Sequence, residues 1–373
     1  MNNMEFIETL KQKRNACGYS QSRLAKELHI SKQNLNEIEN GKTRASKEMK
    51  HTLLHYLDYC NCTQPFTMNV DYLRVRFPTI DALEIIKNVL AMKDEFFIHE
   101  DYGMFGYEEL YRYGEIIVTA SKDASMGVLL ELKAWAVETW NVLQARKTGW
   151  YHFLSRCMDY GGIFRLDLAI NDMGGLMDIE ILRERYYANK VWKRSRKYGG
   201  VDSGKLSGAK GDTAKIFYIG SKNSSIYFCL YEKEKEQKGK GIKTDIKNRF
   251  EIRLKNGKAG QTVEQLVFSR NPEQTIESLI LTQINFPDYI SWDIFLDNVT
   301  TSLPFIITPV AVNMDKTKRW LERQVMPSLL MIKEIEKKTG ANYLEEIDRH
   351  TRLTEKQELK IKQMTAEVVF LHS

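Results

Sequence analysis

IYFCLYEK, residues 226–233, alternates apolar and polar side chains along its length. In an extended strand, successive side chains point to opposite faces. Ile226, Phe228 and Leu230 therefore share one face, and Tyr227, Cys229, Tyr231 and Lys233 share the other. Four more segments read the same way. In IFRLDLAIN (163–171), Leu166, Leu168 and Ile170 oppose Arg165, Asp167 and Ala169. In RFEIRLK (249–255), Phe250, Ile252 and Leu254 oppose Arg249, Glu251, Arg253 and Lys255. In GVLLELK (127–133), Val128, Leu130 and Leu132 oppose Leu129, Glu131 and Lys133. In VDYLRVRF (70–77), Leu73, Val75 and Phe77 oppose Tyr72, Arg74 and Arg76. Strands of this kind imply a largely antiparallel sheet with helices packed on its apolar face.

If these strands share one sheet, their polar faces collect three carboxylates, the tyrosines Tyr227 and Tyr231 among others, and many cations. Glu131, Asp167 and Glu251 are suited to a hard divalent cation, Mg²⁺ or Mn²⁺. A tyrosine beside that ion, Tyr231 or Tyr227, can attack a phosphodiester while Arg165, Arg253 and Lys233 stabilise the charge that develops. Glu232 would point to the core side of a regular strand, which is costly for a charge. Either the strand ends there, or a bulge turns Glu232 towards the metal as a fourth ligand. The bland alternative is a solvated sheet surface with cross-strand ion pairs, which antiparallel sheets often carry. The chain has 18 tyrosines, so most of them must be structural.

The flanks are helical. Ser20 can cap a helix over QSRLAKEL (21–28), His29-Ile30-Ser31 makes a turn, and Ser31 can cap KQNLNEIEN (32–40). Leu24, Ala25, Leu28, Ile30, Leu35 and Ile38 would form the core between the two helices, and Gly41 would end the second. The exposed side then offers Lys32, Gln33, Asn34 and Asn36, donors and acceptors suited to base edges in the major groove. A further helix over about Lys47–Leu57 would close the bundle, and Pro65 in CNCTQPF (60–66) marks a linker. The pattern resembles helix-turn-helix domains of the Xre/Cro family over about 60 residues. His29 stands where that family usually has Gly, and His tolerates positive φ.

The central segments resemble the replication initiation factor family, often called Rep-trans, which includes rolling-circle plasmid initiators and relaxases of integrative conjugative elements. The carrying stretches are DYLRVRF (71–77), MGVLLELKAW (126–135), FRLDLAIND (164–172), IFYIGSKNSSIYFCLYEKEKEQ (216–237) and NRFEIRLK (248–255), in the family's order. With a helix-turn-helix in front, the layout is most similar to the MobT-type relaxases. The resemblance implies a tyrosine that nicks one strand, stays linked to the 5′ phosphate and leaves a 3′ hydroxyl. The family tyrosine matches Tyr231; Asp167 and Glu251 match its aspartate and glutamate. Tyr227 and Tyr218 are the alternative nucleophiles. The seven histidines include no His-hydrophobic-His pair of the better-known relaxase class.

The expected fold class is α+β, with three parts. Residues 1–64 form an all-α helix-turn-helix bundle, 66–312 a sheet-based nickase, and 313–373 a C-terminal helical segment. The net charge of +6 is compatible with nucleic acid as partner. Residues 190–215 form a basic Gly- and Ser-containing loop, in which Lys193, Arg194, Arg196 and Lys197, together with Arg74 and Arg76, are candidate phosphate contacts. Within it GGVDSGKL nearly fits a phosphate-binding loop, but Leu206 replaces the required Ser/Thr and no apolar strand precedes it. The segment from Asp315 is amphipathic, with Pro327 expected to kink it. It packs on its own domain, mediates a homodimer, or docks a helicase or conjugative coupling protein. Five cysteines without paired spacing read as reduced thiols. With no signal pattern and no long apolar run, a soluble cytoplasmic protein without membrane contact is expected. The expected partners are duplex origin DNA and the nicked single strand. Two rivals are a non-catalytic helix-turn-helix transcriptional regulator and a metal-dependent hydrolase that spares Tyr231.

Overall fold

The computed structural model describes residues 2–133, 149–195, 197–203, 213–301, 318 and 321–365. Arg196 and most of the junction before the C-terminal helices lie outside them. The described residues form two compact units, one built from residues 1–72 and 163–306 and the other from 73–162 and 307–373.

The first unit opens with four helices: α1 (Asn3–Ala16), α2 (Gln21–Glu27), α3 (Lys32–Glu39) and α4 (Lys47–Asn61). Ser20 and Ser31 cap α2 and α3 as expected, each accepting from the backbone N–H three residues on. His29 takes the left-handed turn at φ 51°. Leu24, Leu28, Leu35 and Ile38 are buried. Lys32, Gln33 and Asn36 are exposed on α3, whereas Asn34 is half-buried. Glu39 on α3 is buried, and Arg14 and Gln21 hold it at 2.7 and 2.6 Å. Helix α4 runs to Asn61, four residues past the expected end, so the linker is shorter than the proline suggested.

The same unit contains most of a sheet. The strands are β1 (Phe66–Phe77, whose residues to Tyr72 fall in this unit), β6 (Gly162–Asp172), β8 (Tyr198–Ser203), β9 (Ala214–Ile219), β10 (Ile226–Tyr231) and β11 (Asn248–Lys255). Their order is β1-β6-β11-β10-β9-β8. β6 pairs with β11, β11 with β10, β10 with β9 and β9 with β8, all antiparallel. Strand β1 starts at Phe66, earlier than the alternation from Val70 suggested. Residues 199–203, inside the near phosphate-loop motif, belong to strand β8. A short pair, β7 (Trp192–Lys193) with β12 (Ile284–Asn285), stands apart from this sheet.

Helices α7 (Ile179–Tyr187), α8 (Lys233–Gly239), α9 (Gly257–Ser269), α10 (Pro272–Leu281) and α11 (Ile290–Thr301) complete the unit. The apolar face expected from alternation is where the core forms. Phe228 and Phe250 pack together at 5.4 Å between ring centroids, and Phe250 meets Phe295 of α11 at 5.6 Å. Asp172, at the end of β6, organises the neighbouring turn. Its carboxylate accepts from the backbone N–H groups of Gly175, Leu176 and Met177 and from the Asn248 amide.

The second unit holds the rest of β1 with β2 (Ile98–Glu100), β3 (Glu109–Tyr113), β4 (Ile116–Ala120) and β5 (Val128–Lys133), in the order β2-β3-β4-β5-β1. Its helices are α5 (Ala82–Asn88), α6 (Trp150–Tyr160), α12 (Met326–Thr339), α13 (Tyr343–His350) and α14 (Glu355–Thr365). Leu73, Val75, Val118, Leu130, Ile85 and Phe153 are among its buried residues. Pro327 sits in the first turn of α12, after a π-helical turn at Leu321–Val325. The helical stretch thus changes from π to α beside Pro327, the kind of irregularity expected where a proline removes a backbone donor.

Replacing Asp172 by Ala would leave four buried donors without their acceptor. The expected loss is about 3 kcal/mol, read as a lower urea midpoint. An unchanged midpoint would contradict the role given to this carboxylate.

Candidate active site

The site lies on the polar face of the first unit's sheet, where β6, β11 and β10 run side by side. Register decides which side chains meet. Arg253 stands opposite Asp167 and Arg249 opposite Asn171, while across β10 Tyr231 faces Arg249, Cys229 faces Glu251 and Tyr227 faces Arg253. Side chains of opposite or diagonal residues on one face reach one another.

Two guanidinium–carboxylate forks form the centre. Arg165 donates from Nε and Nη2 to Asp167 Oδ1 and Oδ2 at 2.9 and 2.6 Å. Arg253 donates from Nε and Nη2 to Glu251 Oε2 at 2.8 and 2.5 Å, and its Nε stands 3.8 Å from Asp167 Oδ2. The carboxylate side chains are 2% exposed, against 26% for Arg165 and 23% for Arg253. Each buried acid is thus capped by a guanidinium that still reaches water. Burial pushes the Asp167 carboxyl up to about 6, and the arginines only partly offset that cost.

Tyr231 joins this network directly. Its hydroxyl donates to Glu251 Oε1 at 2.5 Å, and Lys233 Nζ donates to the same hydroxyl at 3.5 Å. Burial, and then the Glu251 charge, hold the phenol well above its usual pKa of 10.0. Burial also lowers the Lys233 ammonium, with Arg249 acting in the same direction. Lys233 reaches the tyrosine by an unexpected route. Strand β10 ends at Tyr231, and Lys233 is the first residue of α8. Tyr227 accepts from Arg253 Nη1 at 3.3 Å, and the Arg165 guanidinium lies 4.0 Å over the Tyr72 ring.

Arg249 is the residue that alternation placed on this face without giving it a role. It is buried, donating to Asp71 Oδ1 at 2.6 Å and to Asn171 Oδ1 at 2.8 Å. Its importance depends on β1, β6 and β11 being neighbours, which periodicity alone does not give.

The other candidates stand elsewhere. Glu131 lies on β5 in the second unit, where Arg74 holds it at 2.5 Å and Lys133 at 3.0 Å. Arg76, in that unit too, donates to the Ser125 and Met126 carbonyls. Because β10 stops at Tyr231, Glu232 is drawn to the Lys215 N–H and the Lys235 ammonium, both at 2.8 Å, rather than to Glu251. Lys193 packs over the Tyr186 ring at 4.0 Å. Arg194 and Lys197 are exposed, and Arg196 lies outside the described residues.

Among the described residues no group of three or more His, Cys, Asp or Glu stands ready to hold a metal. The Asp167–Glu251 pair nevertheless suits Mg²⁺ or Mn²⁺. Both are acids with hard oxygen donors, and Arg253 approaches the two of them, Glu251 at 2.5 Å and Asp167 at 3.8 Å. Such ions commonly use one or two carboxylates and complete their shell with water and substrate phosphate.

Comparison with known proteins agrees with this architecture. Residues 161–347 match the replication initiation factor family. Residues 67–156 match the rolling-circle replication initiation protein N-terminal domain, and residues 10–59 a helix-turn-helix family. The NicK protein of Bacillus subtilis (strain 168), a candidate DNA relaxase, is 30% identical over 324 residues, covering 82% of this chain and 91% of its own. A rolling-circle replication initiator from Geobacillus stearothermophilus shares the fold with a TM-score of 0.55 and 21% identity, over 65% of this chain and 99% of that one. With half its length matched and a relative aligned nearly end to end, the chain belongs to the replication initiation factor family.

Proposed function

We propose that this protein is a DNA relaxase or replication initiator that nicks one strand at an origin through Tyr231. The carrying observation is the hydrogen bond from Tyr231 to Glu251, inside a pocket of arginines on the family's sheet. A buried phenol with a raised pKa is a poor nucleophile until a base removes its proton, and Glu251 is placed to do so. The freed phenolate attacks the phosphorus, forming the 5′-phosphotyrosine bond as the 3′ oxygen departs. Arg249 and Arg253 stand beside the forming charge, Lys233 steadies the phenolate oxygen it already reaches, and water protonates the departing 3′ oxygen. Asp167 and Glu251 would hold Mg²⁺ or Mn²⁺, which when bound draws charge from the phosphate oxygens.

In this reading residues 1–64 select duplex DNA through Lys32, Gln33, Asn34 and Asn36 of α3, residues 66–312 cut, and residues 313–373 form a helical appendage. Phosphate contacts fall to Arg74, Arg76 and the basic residues 193–197. The regulator reading accounts for the helix-turn-helix but gives no use to Tyr231 and its partners. No described helix is long and apolar enough to cross a membrane.

Supercoiled DNA carrying the cognate origin tests the proposal, incubated with Mn²⁺ or with EDTA. The wild type is expected to nick in Mn²⁺ and to leave a protein–DNA adduct on a denaturing gel. Tyr231→Phe is expected to lose both by at least about a hundredfold. Duplex binding without nicking by the wild type would favour the regulator, and nicking that survives Tyr231→Phe would remove the tyrosine step.

Cation binding has a separate readout. Asp167 keeps its proton to about 6 in the folded protein, against 3.8 unfolded, so the stability it lends below 3.8 is lost as pH rises through about 6. In EDTA the wild type should lose stability relative to Asp167→Asn across that window. Mn²⁺ favours the ionised acid, so it should raise the wild-type melting temperature above about pH 6 and leave Asp167→Asn unmoved. Equal Mn²⁺ shifts in both proteins would place the ion elsewhere.

A further inference from the structure

One row of the sheet extends beyond the nicking centre. Glu251 stands opposite Cys229, Cys229 opposite Tyr218, and Tyr218 opposite Gly199 of β8. All four share the face that carries Tyr231. The row ends in an open hollow of about 480 Å³ whose lining includes Lys197, Gly199, Tyr218, Gly220 and Lys222.

Three features shape this hollow. First, Gly199 gives Tyr218 a neighbour without a side chain, and a Cβ built there would meet no heavy atom within 4 Å. Its backbone is not left-handed, so the strand itself does not require glycine there. Second, Gly220 bends the chain after β9 at φ 99°, where a Cβ would press on Tyr227 at 3.0 Å. That bend brings Lys222 back over the Tyr218 ring, with Nζ 4.3 Å from its centroid. Third, Lys197 and Lys222 are both exposed at the rim. A half-buried aromatic ring beside an empty slot, with Lys222 over the ring and Lys197 at the rim, has the chemistry of a single-strand subsite. A flat base stacks on the ring and the lysines take the flanking phosphates.

We infer that this hollow holds an unpaired nucleotide of the strand being cut, with Tyr218 as its stacking platform and Gly199 as the gap that admits it. The inference rests on the nicking reading of the adjoining centre and deepens it. Tyr218 is then a positioning residue that orients the strand and takes no part in bond making. The hydroxyl of Tyr218 is dispensable and its ring is not, the opposite of what a nucleophile requires.

The test uses the full chain and two readouts: anisotropy of a labelled single-stranded oligonucleotide of about ten nucleotides, and nicking of supercoiled origin DNA. Gly199→Val fills the slot with a side chain that strands accept, and its melting temperature should match the wild type. It is expected to weaken oligonucleotide binding about tenfold or more and to slow nicking. Tyr218→Leu should do the same, while Tyr218→Phe and Tyr218→Trp keep both near wild-type levels. Wild-type oligonucleotide affinity in Gly199→Val and Tyr218→Leu would overturn the subsite and leave the nicking reading standing. Loss of nicking and adduct in Tyr218→Phe would also overturn it, by making Tyr218 the nucleophile. A wild type that binds the oligonucleotide but never nicks would sink the nicking reading, while the variants' binding still decides the hollow.

Discussion

Two carboxylates lie nearly out of water in the middle of a sheet, and the rest of the site depends on how they are held. A buried acid without a partner is strongly destabilising, and a pair is tolerated only with good geometry. Asp167 and Glu251 meet that condition through the forks from Arg165 and Arg253. The forks leave one oxygen of Glu251 facing Tyr231, and the tyrosine's proton goes there. Holding the acids and poising the nucleophile are therefore one arrangement.

That arrangement is sensitive to register. A one-residue slip of β10 would send Tyr227, Cys229 and Tyr231 to the core and bring Phe228 and Leu230 to the site. The apolar face resists the slip because Phe228, Phe250, Phe295 and Trp292 pack ring against ring. The aromatic core beneath the sheet thus fixes the chemistry above it. The end of β10 matters as much. Starting α8 immediately afterwards returns the Lys233 ammonium to the tyrosine and draws Glu232 off to Lys215 and Lys235.

Alternation alone put Tyr231, Asp167, Glu251, Arg165 and Arg253 on one face, and serine caps with a left-handed His29 gave the helix-turn-helix. These are local signals, each carried by consecutive residues. What stayed hidden depends on which strands are neighbours. Glu131 has the right alternation but sits on β5 in the other unit, paired to Arg74 and Lys133. Arg249 was on the right face, yet its weight comes from Asp71 and Asn171 on two other strands. Lys233 keeps the alternation of a strand that ends before it, at Tyr231.

The most direct test is to isolate the protein–DNA adduct, digest both components and locate the nucleotide-bearing peptide by mass spectrometry. The account predicts a phosphodiester remnant on the phenolic oxygen of Tyr231. A remnant on Tyr227 or Tyr218, or nicked DNA with no remnant on any tyrosine, would contradict it.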